Sequence, residues 1–237
     1  MITIKPLASS SRGNAYLLRA SSGGPLLLEA GLPFKELRRR IWQEQITIAD
    51  LSGCLISHEH GDHGRGAADL AAAGVDLYAS AGTHGMLKLN THRAHTIAAR
   101  QQCQIGPWAV LPFEAIHDAA EPLGFLIAHG AEKLVYATDT AYLPVAFKGL
   151  TAIMLECNYS ADLLSETRGR HPQIKIRVIR HHLGLDQVKK FLRANDLKAV
   201  REIWLIHLSA EHSDAARFKN EIQALTGKPV YIAGERG

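Results

Sequence analysis

The sequence predicts a mixed α and β protein in which short strands outnumber helices. Short apolar runs recur along both halves of the chain, and between them a few segments place apolar residues at helical spacing. The chain has 237 residues, of which 46% are hydrophobic, and this is enough for a sizeable core. Because no linker, repeat or block of like charge interrupts it, we expect one domain spanning residues 1–237.

The first part of the chain predicts a group of strands followed by a helix. Strands are expected over residues 2–7, 15–19 and 26–28, separated by Ser-rich and Gly-rich turns. Pro33 suits the first position of a helix. Phe34, Leu37 and Ile41 follow it at helical spacing. Arg38–Arg40 fall on the other side of this helix, where they predict a solvent-exposed face; a substrate-binding patch is the alternative.

The remaining elements alternate between strands and helices. A helix of small residues is predicted over residues 64–73, and strands over residues 76–79, 109–113, 125–128, 133–137 and 152–155. Leu185, Val188, Phe191 and Leu192 form a helical stripe that predicts core packing. Ser213 is the expected N-cap of a last helix, which runs to residue 226 and ends at the Gly-Lys-Pro segment that follows.

Composition excludes several classes of protein. The three cysteines, Cys54, Cys103 and Cys157, are odd in number and lack C-x-x-C spacing, which argues against a disulfide framework and a zinc finger. No apolar run approaches the ~18 residues of a membrane span, and the N-terminus lacks the core of a signal peptide. We therefore expect a cytoplasmic protein with no membrane partner. The net charge of +4 is compatible with an anionic substrate, and equally with none.

The most informative segment is His58-Glu59-His60-Gly61-Asp62-His63, which follows a short apolar run. Imidazole nitrogen and carboxylate oxygen are ligands that suit borderline cations such as zinc. The one-residue gap between His58 and His60 lets both rings reach one ion from an extended segment. Asp62 and His63 are then free to reach a second ion. Glu59 alternates with the histidines and is expected to point away. The segment therefore predicts a metal site.

An HxHxDH run after an apolar strand resembles the signature of the metallo-β-lactamase fold. Later matches each follow a short apolar run, namely His117, Asp139 and His207. The resemblance implies an α+β protein with a four-layer αββα metallo-β-lactamase sandwich. It also implies the ligands of two divalent ions: His58, His60 and His117 for the first, Asp62, His63 and His207 for the second, and Asp139 bridging both. Zinc is the expected metal, and manganese is the alternative.

The opening loop resembles that of a small phosphodiesterase or exonuclease-like branch of this family, the YycJ (WalJ) type. The loop reads Ser9-Ser10-Ser11-Arg12-Gly13-Asn14, and further matches are Thr138-Asp139-Thr140, Glu156-Cys157-Asn158-Tyr159 and His207-Leu208-Ser209. Hydroxyls and freed backbone N–H groups in a tight loop can bind phosphate oxygens. Ser10, Ser11 and Asn14 are therefore candidate substrate ligands, with a plain β-turn as the alternative.

A second element of the same branch, Gly-His-Leu-Ser, resembles His181-His182-Leu183-Gly184. The match places His182, rather than His181, toward the active site, where it assists a leaving group or binds phosphate; a surface position at a helix entry is the alternative. The chain departs from the branch at Glu29, Arg12, His181 and Gly184, which stand where Asp, a small residue, Gly and Ser are usual. These departures leave the metal site untouched and concern phosphate binding.

Together the resemblances imply a dinuclear-metal hydrolase whose bridging hydroxide attacks a phosphodiester, with Asp62 and His182 as the catalytic residues. The substrate is nucleic acid or a small nucleotide-like or cyclic diester. One alternative is a carbon-centred hydrolase, a lactonase or thioesterase, that uses the same hydroxide. Another is a non-catalytic nucleic-acid-binding protein, against which the intact ligand set argues. A di-iron redox protein is disfavoured, because Glu would usually replace one of the early histidines.

Overall fold

The computed structural model describes residues 1–143, 146–166 and 172–234. They fall into two compact units. The first unit covers Met1–Glu114 and Ala119–Glu132, and the second covers Ala115–Asp118 and Lys133–Gly237. Both units contain strands and helices, so the mixed α and β class predicted from the sequence is confirmed.

The largest sheet of the first unit has six strands, which lie side by side in chain order. They are β1 (Thr3–Ala8), β2 (Ala15–Arg19), β3 (Leu26–Leu28), β4 (Gly53–Leu55), β5 (Leu77–Ala79) and β6 (Ala94–Thr96). β1 to β3 pair antiparallel, and β3 to β6 pair parallel. The same unit also contains an antiparallel meander of β7 (Cys103–Ile105), β8 (Trp108–Glu114) and β9 (Leu123–His129).

Four helices complete the first unit: α1 (Phe34–Gln43), α2 (Gly61–Gly64), α3 (Ala67–Ala72) and α4 (Ala81–Met86). α1 and α3 pack against the six-stranded sheet through their apolar stripes. Leu37 and Ile41 of α1 and Leu70 of α3 are buried in one cluster with Leu27 and Cys54 of the sheet. Cys54 is thus a core residue. Each of these aliphatic side chains contributes about 1.5–3 kcal/mol by leaving water, so this packing fixes the loops at the helix ends.

The sheet of the second unit is parallel throughout. Its strands are β10 (Glu132–Ala137), β11 (Ala152–Glu156), β12 (Glu202–Ile206) and β13 (Val230–Ile232), in that spatial order. All five residues of β11 are buried. Strands covered on both faces read as continuous apolar runs, which explains why residues 152–155 were recognisable from sequence. The polar residue that ends this strand, Glu156, is an exception considered below.

The helices of the second unit are α5 (Ala161–Glu166), α6 (Pro172–His181), α7 (Leu185–Ala194) and α8 (Ala215–Thr226). The predicted stripe of α7 is confirmed, because all four of its apolar residues are buried. α8 ends as predicted at Gly227, whose φ of 66° is the left-handed conformation that glycine adopts without strain.

Two local predictions were wrong. The helix expected over residues 64–73 is divided into α2 and α3, because the backbone leaves helical geometry at Gly66, where its N–H donates to the carbonyl oxygen of Ala30. The N-cap of α8 is Asp214 rather than Ser213: the Asp214 carboxylate accepts from the N–H of Arg217 at 2.9 Å. The Ser213 hydroxyl donates instead to the carbonyl oxygen of Ser209.

Among the helices that the described residues form, none combines the length and the apolar character that crossing a membrane requires.

Candidate functional site

The predicted ligand run of the first unit follows β4 and enters α2. His58 and His63 are buried, and their ring centroids lie 4.3 Å apart. Nε2 of His58 lies 3.1 Å from Nδ1 of His60. Two nitrogens bound to one tetrahedral zinc at 2.0–2.1 Å are about 3.3 Å apart. This spacing therefore fits two rings that share one divalent ion.

A neighbouring turn holds this run in place through backbone contacts. The N–H of Asn14 donates to the carbonyl oxygen of Asp62 at 2.8 Å, and the N–H of Ala30 donates to that of His63 at 2.7 Å. The Asn14 amide lies 3.3 Å from Nε2 of His63. Asn14 is fully buried, so the contacts of its side chain are made with the protein. Its predicted role as a substrate ligand stays a prediction.

The two predicted serine ligands lie beside Asn14 in the same loop. The Ser10 N–H donates to the Asn14 side-chain oxygen at 3.2 Å, and the Ser10 hydroxyl accepts from the N–H of Arg12 at 3.2 Å. Ser11 is exposed. The loop is therefore ordered by its own hydrogen bonds, and the hydroxyl of Ser11 is open to solvent.

Glu29 is a buried carboxylate that the sequence analysis noted only as a departure from the family pattern. Its Oε2 accepts from the N–H of Ser57 at 3.2 Å and lies 3.4 Å from Nδ1 of His63. A carboxylate beside one ring nitrogen keeps the proton there and leaves the other nitrogen as a metal ligand. Glu29 thus lies on the Nδ1 side of His63, and Nε2, which the Asn14 amide approaches at 3.3 Å, is the nitrogen on the other side of the ring. Its φ of 64° is a strained conformation for this residue type, with a cost of about 1–3 kcal/mol.

The Gly31→Ala substitution tests how tightly this turn supports the ligand run. A Cβ atom at Gly31 would lie 1.7 Å from the carbonyl oxygen of Asp62 and 2.6 Å from the backbone nitrogen of Asn14. Both atoms belong to the backbone, so the ligand run has to shift. We expect unfolding in urea to show a loss of about 3 kcal/mol. Gly85→Ala is the control, because a Cβ there meets nothing within 4 Å. Equal stability of the two variants would contradict this account.

In the second unit, three adjacent parallel strands end at a cluster of polar residues. Asp139 follows β10, Glu156 ends β11, and His207 follows β12. The carboxyl ends of parallel strands meet at one edge, which is where α/β sheets place their sites. Nδ1 of His207 lies 3.1 Å from Asp139 Oδ1 and 3.0 Å from Glu156 Oε1. Two of the predicted metal ligands are therefore neighbours in this unit.

Backbone strain marks the same two ligands. Asp139 has a φ of 45° and His207 a φ of 52°, in the left-handed region that favours glycine. Each such residue costs about 1–3 kcal/mol and persists only where the surroundings impose it. Both side chains are nearly fully buried. Two of the six non-glycine residues with a positive φ in the described part of the chain are thus predicted ligands.

Glu156 is a site residue to which the sequence analysis assigned no role. It is fully buried, and its Oε1 lies 2.6 Å from Nδ1 of His182. Its Oε2 accepts from the N–H groups of Leu183 at 3.0 Å and Thr140 at 3.4 Å. A buried carboxylate requires such partners. The available sequence signal was an ionisable residue that closes an otherwise apolar run.

His182 lies at this edge, beside Asp139 and Glu156. Burial by itself lowers the pKa of His182, but the carboxylates of Glu156 and Asp139 outweigh burial and raise this pKa to about 10. Nδ1 of His182 is 3.3 Å from Asp139 Oδ1, and 21% of the side chain stays exposed. The carboxylates therefore favour the protonated form of the ring, part of which faces solvent.

His117, the remaining predicted ligand of the second unit, is positioned by the backbone of His181. Nδ1 of His117 lies 2.8 Å from the His181 carbonyl oxygen, so this nitrogen carries the proton and donates. Nε2 of His117 is then the nitrogen available to a metal. Asp118 lies 3.2 Å from this Nε2 and 3.0 Å from the Arg177 guanidinium. The Asp118 carboxylate therefore faces Nε2, and a metal bound at this nitrogen would take the place of that contact.

Comparisons with known proteins agree with this chemistry. The chain matches the family model of the β-lactamase superfamily domain over residues 26–208. The exodeoxyribonuclease YycJ of Bacillus anthracis is 30% identical over 220 residues, which cover 87% of this chain and 82% of the relative. The exodeoxyribonuclease WalJ of Streptococcus pneumoniae is 27% identical over 222 residues, which cover 87% of this chain and 81% of the relative.

Solved structures establish the fold. The metallo-β-lactamase fold protein YhfI from Bacillus subtilis superposes with a TM-score of 0.74 at 17% identity, covering 100% of this chain and 98% of that one. A diphosphatase from the PhnP family superposes with a TM-score of 0.62 at 15% identity, covering 99% of this chain and 95% of that one. The expected sandwich class is thus confirmed. The chain belongs to the β-lactamase superfamily, has the metallo-β-lactamase fold and is a metal-dependent hydrolase.

Proposed function

We propose that this hydrolase is a phosphodiesterase that cleaves nucleic acid. The similarity to two exodeoxyribonucleases over more than four-fifths of their lengths carries the proposal. The protonated ring of His182 beside the predicted ligands Asp139 and His207 also supports the proposal. A proton donor assists the departure of an alkoxide from phosphorus. DNA is the first candidate substrate, and RNA and small nucleotide-like diesters are the alternatives to test.

We further propose that two divalent ions bind in one domain that comprises residues 1–237. The family model spans parts of both compact units, which supports a single domain. The proposed ligands are the seven residues predicted from sequence: His58, His60, Asp62, His63, His117, Asp139 and His207. Zinc is the expected metal, since this mixed set of nitrogen and oxygen ligands suits it, and manganese is the alternative. A cytoplasmic location stays our expectation.

The side chains of the protein contribute to the reaction by holding protons at defined atoms. Two divalent ions supply Lewis acidity, which lowers the pKa of bound water toward ~7 and neutralises phosphate charge. Glu29 faces Nδ1 of His63, and the His181 carbonyl accepts from Nδ1 of His117, so Nε2 of each ring is the nitrogen that would bind metal. His182 holds a proton that it donates to the leaving oxygen. Ser11 is the exposed hydroxyl proposed to contact phosphate.

The first experiment measures metal content and substrate class together. Protein purified without chelator should contain about two equivalents of divalent metal, and it should cleave bis-p-nitrophenyl phosphate and oligodeoxynucleotides faster than p-nitrophenyl acetate or a lactone. Prolonged dialysis against chelator should remove both metal and activity, and zinc or manganese should restore them. Trace metal with no uptake would contradict the metal site. Preference for the ester or lactone would replace the phosphodiesterase by a carbon-centred hydrolase.

A further inference from the structure

One face of α1 in the first unit combines basic side chains with an exposed aromatic ring. Lys35, Arg38, Arg39 and Trp42 follow the i, i+3, i+4, i+7 spacing that places residues on the same side of a helix. All four are exposed, and 68% of Trp42 is accessible to solvent. A large aromatic side chain left this open on a helix is unusual, and the opposite stripe of α1 already supplies the core contacts.

These residues line a groove with a cavity volume of about 630 Å³. Pro33, Ile46 and Ile48 add apolar walls to its basic rim, and Glu36 and Thr47 complete its lining. The volume lies within the ≈ 300–1,000 Å³ typical of sites for small organic groups. A nucleotide has the same character, because the faces of its base are apolar and its phosphate is anionic.

The side chains of the groove carry a net positive charge. Its acidic residue, Glu36, accepts from Arg39 at 2.7 and 2.9 Å and from Arg40 at 2.7 Å. These hydrogen bonds lower the pKa of Glu36 to about 2, so the carboxylate is ionised but neutralised by its two partners. Lys35 and Arg38 add two charges on the same face. The groove therefore complements an anionic ligand better than it complements a peptide with few acidic residues.

The groove begins beside the turn that supports the ligand run. Ala30, whose N–H donates to His63, precedes Pro33 by three residues. Trp42 lies nine residues beyond Pro33, which is about 14 Å along a helix that rises 1.5 Å per residue. A length of this order accommodates several nucleotides of a single strand.

We propose that this face of α1 binds single-stranded nucleic acid, with a base stacked on Trp42 and phosphates on Lys35 and Arg38. Exposed aromatic rings beside cationic side chains are the elements that bind single strands without reading their sequence. The inference rests on the proposed nuclease function and adds a substrate contact away from the reacting bond. It predicts that the face matters for long strands and is irrelevant to the smallest substrates.

The test compares long and short substrates with the metal-loaded enzyme. Trp42→Ala should raise KM for a single-stranded oligodeoxythymidylate of about 16 nucleotides by roughly 5- to 150-fold, the effect of one lost stacked base. It should leave kcat unchanged, together with the turnover of a dinucleotide and of bis-p-nitrophenyl phosphate. Trp42→Phe should retain most of the affinity, because it keeps an aromatic face. Tyr231→Ala, at an exposed aromatic on β13, is the control.

A second arm measures the ionic contacts by binding rather than by cleavage. The dissociation constant of a phosphorothioate oligodeoxythymidylate is measured by anisotropy at several salt concentrations. Lys35→Glu and Arg38→Glu should each reduce the slope of log K against log salt by about 0.7, the value for one phosphate contact on a single strand. Because this arm needs no turnover, it still tests the groove if the wild type cleaves no phosphodiester, an outcome that would refute the proposed function alone.

Three outcomes would overturn the groove assignment. The first is a wild type that does not bind the oligonucleotide. The second is unchanged affinity in both Trp42→Ala and Arg38→Glu. That result would show that the face does not bind nucleic acid and would favour a protein partner. The third is an equal loss of affinity in Tyr231→Ala, which would show that the effect of Trp42→Ala is not specific to this face.

Discussion

Replacing Asp62 by alanine should lower phosphodiester turnover by several orders of magnitude while the chain stays folded. The carboxylate is proposed to bind the second ion, and a two-metal site loses its activated water and its charge neutralisation when one ion leaves. The structure explains why folding should survive. Asp62 contributes its carbonyl oxygen to Asn14 through the backbone, and the alanine variant keeps this hydrogen bond. The measurements are turnover of bis-p-nitrophenyl phosphate, bound metal and thermal denaturation.

The structure also shows why Asp62 gives a cleaner test than the adjacent His63. His63 is fully buried against the Glu29 carboxylate, so His63→Ala removes a partner from a buried charge and should destabilise the fold by about 3–5 kcal/mol. A loss of activity in that variant would have two causes. Asp69→Ala, at an exposed carboxylate of α3, is the matched control and should be neutral. Near-normal turnover in Asp62→Ala would show that the second ion is not catalytic.

Much of the fold was predictable because the deciding information is local. The strand at residues 15–19 and the stripe of α7 were predicted with their observed positions, since covered strands and amphipathic helices leave a clear period in the sequence. β6 and β7 were not predicted. Their three-residue runs are mostly exposed or half-buried, so no apolar pattern marks them. The interruption at Gly66 escaped prediction because it depends on the distant turn at Ala30.

In the candidate site, too, the local features were predictable from the sequence and the long-range contacts were not. The ligand run lies within six residues and was visible in the sequence. The carboxylates that contact the histidines of each unit were not. Glu29 and Glu156 each touch a histidine distant in sequence, and an ionisable residue that closes an apolar run does not reveal which histidine it contacts. The Arg38–Arg40 segment is a further example. The sequence favoured a solvated face, and exposure is confirmed for two of the three arginines, but the neighbouring Trp42 became informative only through its exposure.

His182→Ala should lower the rate by roughly 10²–10⁴-fold on substrates with poor leaving groups, which is the usual contribution of a general acid. The effect should shrink for nitrophenolate esters, because such a leaving group departs without a proton. Metal content should be unchanged, since His182 is not among the proposed ligands. The chain should lose some stability, because the buried Glu156 loses one partner, but it should stay folded, since Glu156 keeps its hydrogen bonds to the Leu183 N–H and to His207.

His181→Ala is the matched control, because its carbonyl oxygen still accepts from His117 after the side chain is removed. Glu156→Gln tests the origin of the proton. The Glu156 charge helps to raise the pKa of His182 to about 10, so its removal should lower that pKa. The alkaline loss of activity should then move to lower pH in Glu156→Gln and disappear in His182→Ala. Equal effects of His181→Ala and His182→Ala, or metal loss in the latter, would show that His182 is structural or a ligand.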